Sequence, residues 1–205
     1  MAMDTQNKRL TENITWADNR SSRYADLIEN EYNGFEIYQR TGTPLHPMSP
    51  LSKIFWMKHE QPAIYNQTAK FADIKTYIFY QLFGKYVIDY SMASATGMFN
   101  LGQLDWDEKA LKLLGISRDQ LPELVPTTHI LTGMKKRFAE LMDIDENTPV
   151  VVGASDGVLS NLGVNSYKKG EVAVTIGTSG AIRTVINKPR TDYKGRIYCL
   201  SLIHI

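Results

Sequence analysis

Residues 149–183 read PVVVGASDGVLSNLGVNSYKKGEVAVTIGTSGAIR, and the reading of this stretch decides the fold. An apolar run, Val150 to Val152, ends in Gly153-Ala154-Ser155-Asp156-Gly157. A second β-like run, Glu171 to Ile176, turns through Gly177-Thr178-Ser179-Gly180 into a third, Ala181 to Ile186. β-Branched runs bounded by glycines are strand signals. An acid set by one strand and a Gly/Thr turn set by the next are parts that phosphoryl transfer requires. The acid can take the proton of an attacking hydroxyl, and backbone N–H groups of the turn can hold phosphate oxygens.

Upstream, helices dominate. Residues 21–33 carry Tyr24, Leu27, Ile28 and Tyr32 at helical spacing. Residues 51–58 repeat the pattern, and residues 72–84 read as a buried helix stopped by Gly84. Shorter helices are expected at 107–114, closed by Gly115, and at 132–142, with Met134, Phe138 and Leu141 aligned. Ile14-Thr15-Trp16 reads as a short buried strand, and residues 41–50, with Pro44, Pro47 and Pro50, as a loop. Residues 86–89 are extended, and residues 91–99 are rich in small side chains. A weak boundary falls where VNSYKKG interrupts the apolar pattern.

Composition narrows the function classes. The 205 residues carry 23 basic and 22 acidic side chains, a net charge of +1, which argues against nucleic acid or an anionic membrane as the main partner. Apolar runs fall well short of the ~20 residues that span a bilayer. Cys199 is the single cysteine, which fits a reducing compartment, and a polar N-terminus is no secretory signal. A cytoplasmic protein is expected. The histidines and the cysteine lack ligand spacing, so no protein-held metal is expected. A GxxxxGKS loop is also missing from the sequence.

Several blocks, in order, resemble the FGGY carbohydrate kinases: ITWADNRSS, TGTPLHPMSPLSKIFWMK, DYSMASATGMFNL followed by LDWDEKAL, GASDGVLSNLG, and TIGTSGA. Within that family, TGTPLHPMSPL, ASDGVLSNLG and TIGTSGAIR are most similar to the bacterial gluconate kinases. The resemblance implies an α/β, actin-like ATPase (ribonuclease H-like) fold, present in part. Residues 1–163 would be the later part of the sugar-binding domain, and residues 164–205 the opening of the nucleotide-binding domain. It implies ATP-dependent phosphorylation of a sugar or sugar-acid hydroxyl, gluconate first, with Mg²⁺ carried in by ATP and a homodimer left open. Members of the family are considerably longer and begin with an Asp-Gly-Thr-type phosphate loop not found here. An internal piece of a kinase is therefore expected. The tail LSLIHI leaves the family pattern. A xylulose, ribulose or glycerol kinase is the alternative within the family, and a catalytically silent piece the alternative outside it.

The resemblance makes Asp156 the general base; the other reading is a helix N-cap. Gly177 and Thr178 would contact the ATP phosphates; the other reading is an ordinary hairpin turn. Trp16 would line the sugar pocket or sit in the core. His46 and Met48 lie in the loop that the family turns toward the sugar, with Lys53 just behind it. His46 and Lys53 are candidates for an anionic substrate on charge alone. Asp18 and Arg20 would form a bracing ion pair or a solvated turn. Asp89, Ser91, Ser94 and Trp106 read as structural.

Overall fold

A computed structural model describes residues 1–177 and 180–201. It opens with strand β1 (Ala2–Met3), helices α1 (Ser22–Glu31), α2 (Gly34–Thr41), α3 (Pro50–Glu60) and α4 (Pro62–Gln67), and strand β2 (Lys70–Phe71). Helix α5 (Ile74–Phe83), strand β3 (Val87–Asp89), helix α6 (Tyr90–Ser94), strands β4 (Phe99–Asn100) and β5 (Asp105–Trp106) and helix α7 (Glu108–Leu114) follow. The C-terminal part holds β6 (Glu123–Val125), β7 (Ile130–Leu131), α8 (Lys136–Met142), β8 (Val150–Val151), α9 (Asp156–Gly163), β9 (Val172–Ile176) and β10 (Gly180–Thr184).

Local chemistry explains the helix boundaries. Ser49 caps α3 with Pro50 in its first turn, a place where proline's missing N–H costs nothing. Asp73 caps α5 by accepting from the Thr76 N–H at 2.8 Å. Gly84 ends α5 at φ +72°, a left-handed conformation that glycine adopts without a Cβ clash. Among the described residues the strands pair two by two. β3 and β6 run parallel, with Val87 opposite Glu123 and Asp89 opposite Val125. β9 and β10 form an antiparallel hairpin with Ile176 opposite Gly180.

The main core gathers Ile28 from α1, Leu51 and Phe55 from α3, Phe99 from β4 and Leu114 from α7. A second cluster, Phe79, Val87, Val125, Leu131 and Val152, lies under β3, β6 and the end of β8. This second cluster anchors the strand end that leads into α9. Burying such side chains contributes roughly 1.5–3 kcal/mol each. Among the described residues, no helix is long and apolar enough to cross a membrane.

Three expectations need correction. Residues 14–16 are not a buried strand; the chain turns there and Trp16 is 72% exposed. A run of three residues is too short to form a strand without a paired neighbour. Helix α5 is not buried all round, since only Thr76 and Phe79 are covered while Ile74 and Ile78 are exposed. In the 132–142 segment, helix begins at Lys136; Met134 is buried ahead of it and Leu141 points outward. Trp106, read as structural, is a buried residue of β5, its Nε1 donating to the Pro122 carbonyl at 3.2 Å.

Asp107, 2% exposed, ties the helical half together. It caps α7 through the Ala110 N–H at 2.9 Å and accepts from Arg40 Nε at 2.7 Å, Arg40 Nη2 at 3.1 Å and Asn100 Nδ2 at 2.9 Å. Burial pushes its carboxyl up, but the Arg40 fork and the other donors outweigh that and hold it below the ordinary 3.8. A carboxyl with a lowered folded-state value stabilises the fold above its unfolded value, and that contribution is lost as pH falls through the folded one. Urea unfolding at pH 7 and pH 3 should show this loss. Asp107→Asn should cost about 2–4 kcal/mol at pH 7 and flatten the acid dependence.

Candidate active site

The Pro-rich loop and the Trp16 turn are fastened together by one buried cation. Lys53 of α3 donates from Nζ to the Asp18 carbonyl at 2.9 Å and to the Pro47 carbonyl at 2.8 Å. Ser21 Oγ donates to the same Pro47 carbonyl at 2.9 Å. Burial pushes the Lys53 ammonium below its ordinary value. Two of its three N–H groups are engaged by backbone carbonyls, so Lys53 positions two loops. The Asp18–Arg20 ion pair forms on the outside of this brace, Arg20 Nε lying 2.9 Å from both carboxylate oxygens, and the Arg20 guanidinium stacks 5.1 Å from the Trp56 ring. Hydrogen bonds from Arg20 hold Asp18 down to about 2. A cavity of about 300 Å³ opens beside the brace, walled by Ile14, Asp18, Arg20, Trp56 and Gln61 among others; Trp16 is not one of its walls.

Within the loop, His46 is exposed and its Nδ1 accepts from the Met48 backbone N–H at 3.1 Å. This bond fixes the two residues relative to one another. Met48 is half-buried. The loop is also held to α6, where Thr43 Oγ1 donates to the Ser94 carbonyl at 2.7 Å.

The segment from β8 to α9 is built from below. Val152 N–H donates to the His129 carbonyl, and Gly153 N–H to the Thr127 carbonyl, both at 2.9 Å. Gly153 turns the chain at φ +72°, a conformation that side chains resist. Its carbonyl accepts from Lys75 Nζ at 3.2 Å. Lys75 also pairs with Asp89 Oδ2 at 2.6 Å. Asp89, 0% exposed, caps α6 through the Ser91 and Met92 N–H groups and accepts from Ser91 Oγ. Ser91 Oγ in turn accepts from the Ser155 N–H at 2.8 Å. One buried carboxylate therefore fixes both sides of the turn that presents Asp156. The small side chains of the 91–99 block let α6 approach that turn closely.

Asp156 itself is exposed at the first residue of α9, with Oδ1 accepting from the Gly157 N–H at 2.7 Å. Ser155, not Asp156, is the N-cap residue. The carboxylate is thus not consumed by capping. The β9–β10 hairpin reaches this same turn: the Arg183 guanidinium lies against Gly157. Gly177 is exposed at the end of β9, where the hairpin turn begins. Thr178 lies outside the described residues.

Comparison with known proteins identifies the scaffold. The model of the FGGY family of carbohydrate kinases, N-terminal domain, matches residues 1–163. The chain belongs to this family. It is 61% identical over 202 residues to the gluconokinase of Bacillus subtilis (strain 168), a match that takes in 98% of this chain and 39% of that relative. Among solved structures, a gluconate kinase and a ligand-bound xylulose kinase, both from Lactobacillus acidophilus, each superpose with a TM-score of 0.95 at 37% identity. Each superposition covers 98% of this chain and 41% of the other. The chain therefore spans well under half the length of the FGGY kinases it matches. The fold is part of the α/β actin-like ATPase fold of these kinases.

The FGGY scaffold brings the expected residues into two groups. The segment just after Trp16 and the His46–Met48 loop are joined through Lys53, while Trp16 itself is exposed; the α9 turn bearing Asp156 and the hairpin bearing Gly177 meet where Arg183 lies against Gly157. Helix α6 joins the groups, holding Thr43 at its C-terminal end and Ser155 at its N-terminal end. Asp89 and Ser91, read as structural from sequence, support the candidate base. Lys75 and Arg183 escaped the sequence reading. The Asp-x-Ser spacing at 89–91 is a capping signal that marks Asp89, but nothing local marks Lys75 as its partner.

Proposed function

We propose that the protein carrying this chain transfers the γ-phosphoryl group of ATP to the 6-hydroxyl of gluconate. The observation that carries this reading is the exposed carboxylate of Asp156, on a turn held from below, next to Gly157, against which Arg183 of the β9–β10 hairpin lies. The likeness to a gluconokinase supports the choice of acceptor.

In the proposed reaction, Asp156 accepts the hydroxyl proton while the acceptor oxygen bonds to the γ-phosphorus. The bond from that phosphorus to the β,γ-bridging oxygen breaks in line, and ADP leaves. Gly177 and Thr178 steady phosphate oxygens at the hairpin turn. Trp16 and the His46–Met48 loop bound the sugar, Trp16 offering an apolar face to its C–H groups. Residues 1–163 are assigned to the sugar side and residues 164–205 to the start of the nucleotide side. ATP and Mg²⁺ are proposed as the co-substrate pair. Mg²⁺ neutralises phosphate charge when bound, and no residue of this chain is assigned to it. Among the described residues, no cluster of three or more His, Cys, Asp or Glu side chains is placed to hold a metal ion.

An ADP-coupled assay of the gene product with gluconate, xylulose, ribulose and glycerol tests the reading. The highest kcat/KM is expected for gluconate. A preference for a neutral pentulose overturns the choice of acceptor.

A further inference from the structure

We propose that Arg183 reads the carboxylate of the acceptor and so sets the preference for a sugar acid over a neutral sugar; the inference rests on the gluconate reading above. Strand β10 alternates in burial. Ala181 and Arg183 are half-buried, whereas Ile182 is 77% exposed and Thr184 is exposed. Arg183 therefore belongs to the face turned toward α9. Its guanidinium lies over the first turn of that helix. A Cβ placed on Gly157 would stand 3.2 Å from Nε, 3.5 Å from Nη2 and 3.6 Å from Cζ. Gly157 follows Asp156 directly, so the guanidinium lies next to the residue that carries the candidate base.

The fork is held at one end, and among the described residues its other donors carry no hydrogen bond. Nη1 donates to Thr175 Oγ1 across the hairpin at 3.0 Å. Nε and Nη2, the pair that binds a carboxylate side-on through two parallel hydrogen bonds, are the donors nearest Gly157. Among the described residues the Arg183 side chain forms no ion pair. An arginine with a fixed orientation and no carboxylate partner, placed at the acid that activates the acceptor, suits an anionic acceptor. A nucleotide phosphate is the other anion within this chemistry. Its contact is with Gly157, in the stretch assigned to the sugar side, and this favours the sugar carboxylate.

The test measures KM for gluconate and for ATP, kcat, and the inhibition constant of glucitol, the neutral alcohol that matches gluconate in chain length. Arg183→Gln should raise the gluconate KM roughly 10- to 100-fold and leave kcat, the ATP KM and glucitol inhibition within about threefold. Arg183→Lys should recover part of the loss. Gly157→Ala, which puts a better helix former in the first turn of α9, should crowd Nε and raise the gluconate KM in the same direction by less. An unchanged gluconate KM in Arg183→Gln, with wild type phosphorylating gluconate, overturns this inference alone. A raised ATP KM with kcat lowered assigns the guanidinium to phosphate and also overturns it. A wild-type enzyme that phosphorylates xylulose and not gluconate overturns the acceptor reading and this inference with it.

Discussion

Asp156→Asn should lower kcat for gluconate phosphorylation by about 10³-fold and leave the gluconate KM within a few-fold, because general-base assistance typically contributes 10²–10⁴. The substitution keeps size and shape. It removes the lone pair that takes the hydroxyl proton. Asp156 is exposed and Ser155 occupies the cap position, so the fold has little stake in the charge. Thermal unfolding of the variant should match wild type within about 1 kcal/mol, in keeping with surface substitutions away from packed sites. A variant that turns over at near wild-type rate removes Asp156 as the base and leaves it a surface residue of α9. A variant that loses activity and stability together makes the residue structural.

Asp89→Ala should be the most destabilising single change near the site, at about 3–5 kcal/mol, the usual cost of breaking a buried ion pair by removing one partner. Asp89 is fully buried and serves Lys75, Ser91 and the first N–H groups of α6 at once. Its loss leaves the Lys75 ammonium, among the described residues, with the Gly153 carbonyl as its remaining partner. It also frees Ser91 Oγ to rotate away from the Ser155 N–H. Activity should therefore fall further than the folded fraction does, because the turn that presents Asp156 loosens. Asp89→Asn retains an acceptor for the α6 cap and should cost less. Urea unfolding beside kcat at a temperature where both proteins are folded separates the two effects. A loss below about 1 kcal/mol in the alanine variant would mean that the network carries no more than an ordinary hydrogen bond.

Much of the local structure is legible in the residues. The proline-bearing loop, the Asp107 and Asp73 caps, the stops at Gly84 and Gly115, and the β9–β10 hairpin each follow from short-range chemistry that a few neighbouring residues specify. Where the reading failed, the cause was packing at a distance. Ile14 to Trp16 has strand composition but finds no strand to pair with. Helix α5 has the composition of a buried helix, yet its isoleucines at 74 and 78 lie on an uncovered side. Hydrophobic residues inside is a one-way rule, and composition does not say which face a neighbour will cover.

The candidate site divides in the same way. Asp156, Gly177 and Thr178 stand out because a strand end carrying an acid and a glycine-threonine turn are visible as runs of residues. Lys53 stands out in the sequence by its charge, whereas the Asp18 and Pro47 carbonyls that its ammonium holds are brought to it only by the fold.

From its residues alone this chain fixed its α/β character, the helix stops at Gly84 and Gly115, its proline loop and the acid that leads α9, since each depends on groups a turn or less apart. Tertiary structure decided that Lys75 and Gly153, 78 positions apart, share the ammonium that also pairs with Asp89. It likewise decided that Arg183 lies over Gly157 rather than in solvent. Side-chain periodicity states which residues share a face; only the path of the backbone through space states what that face meets.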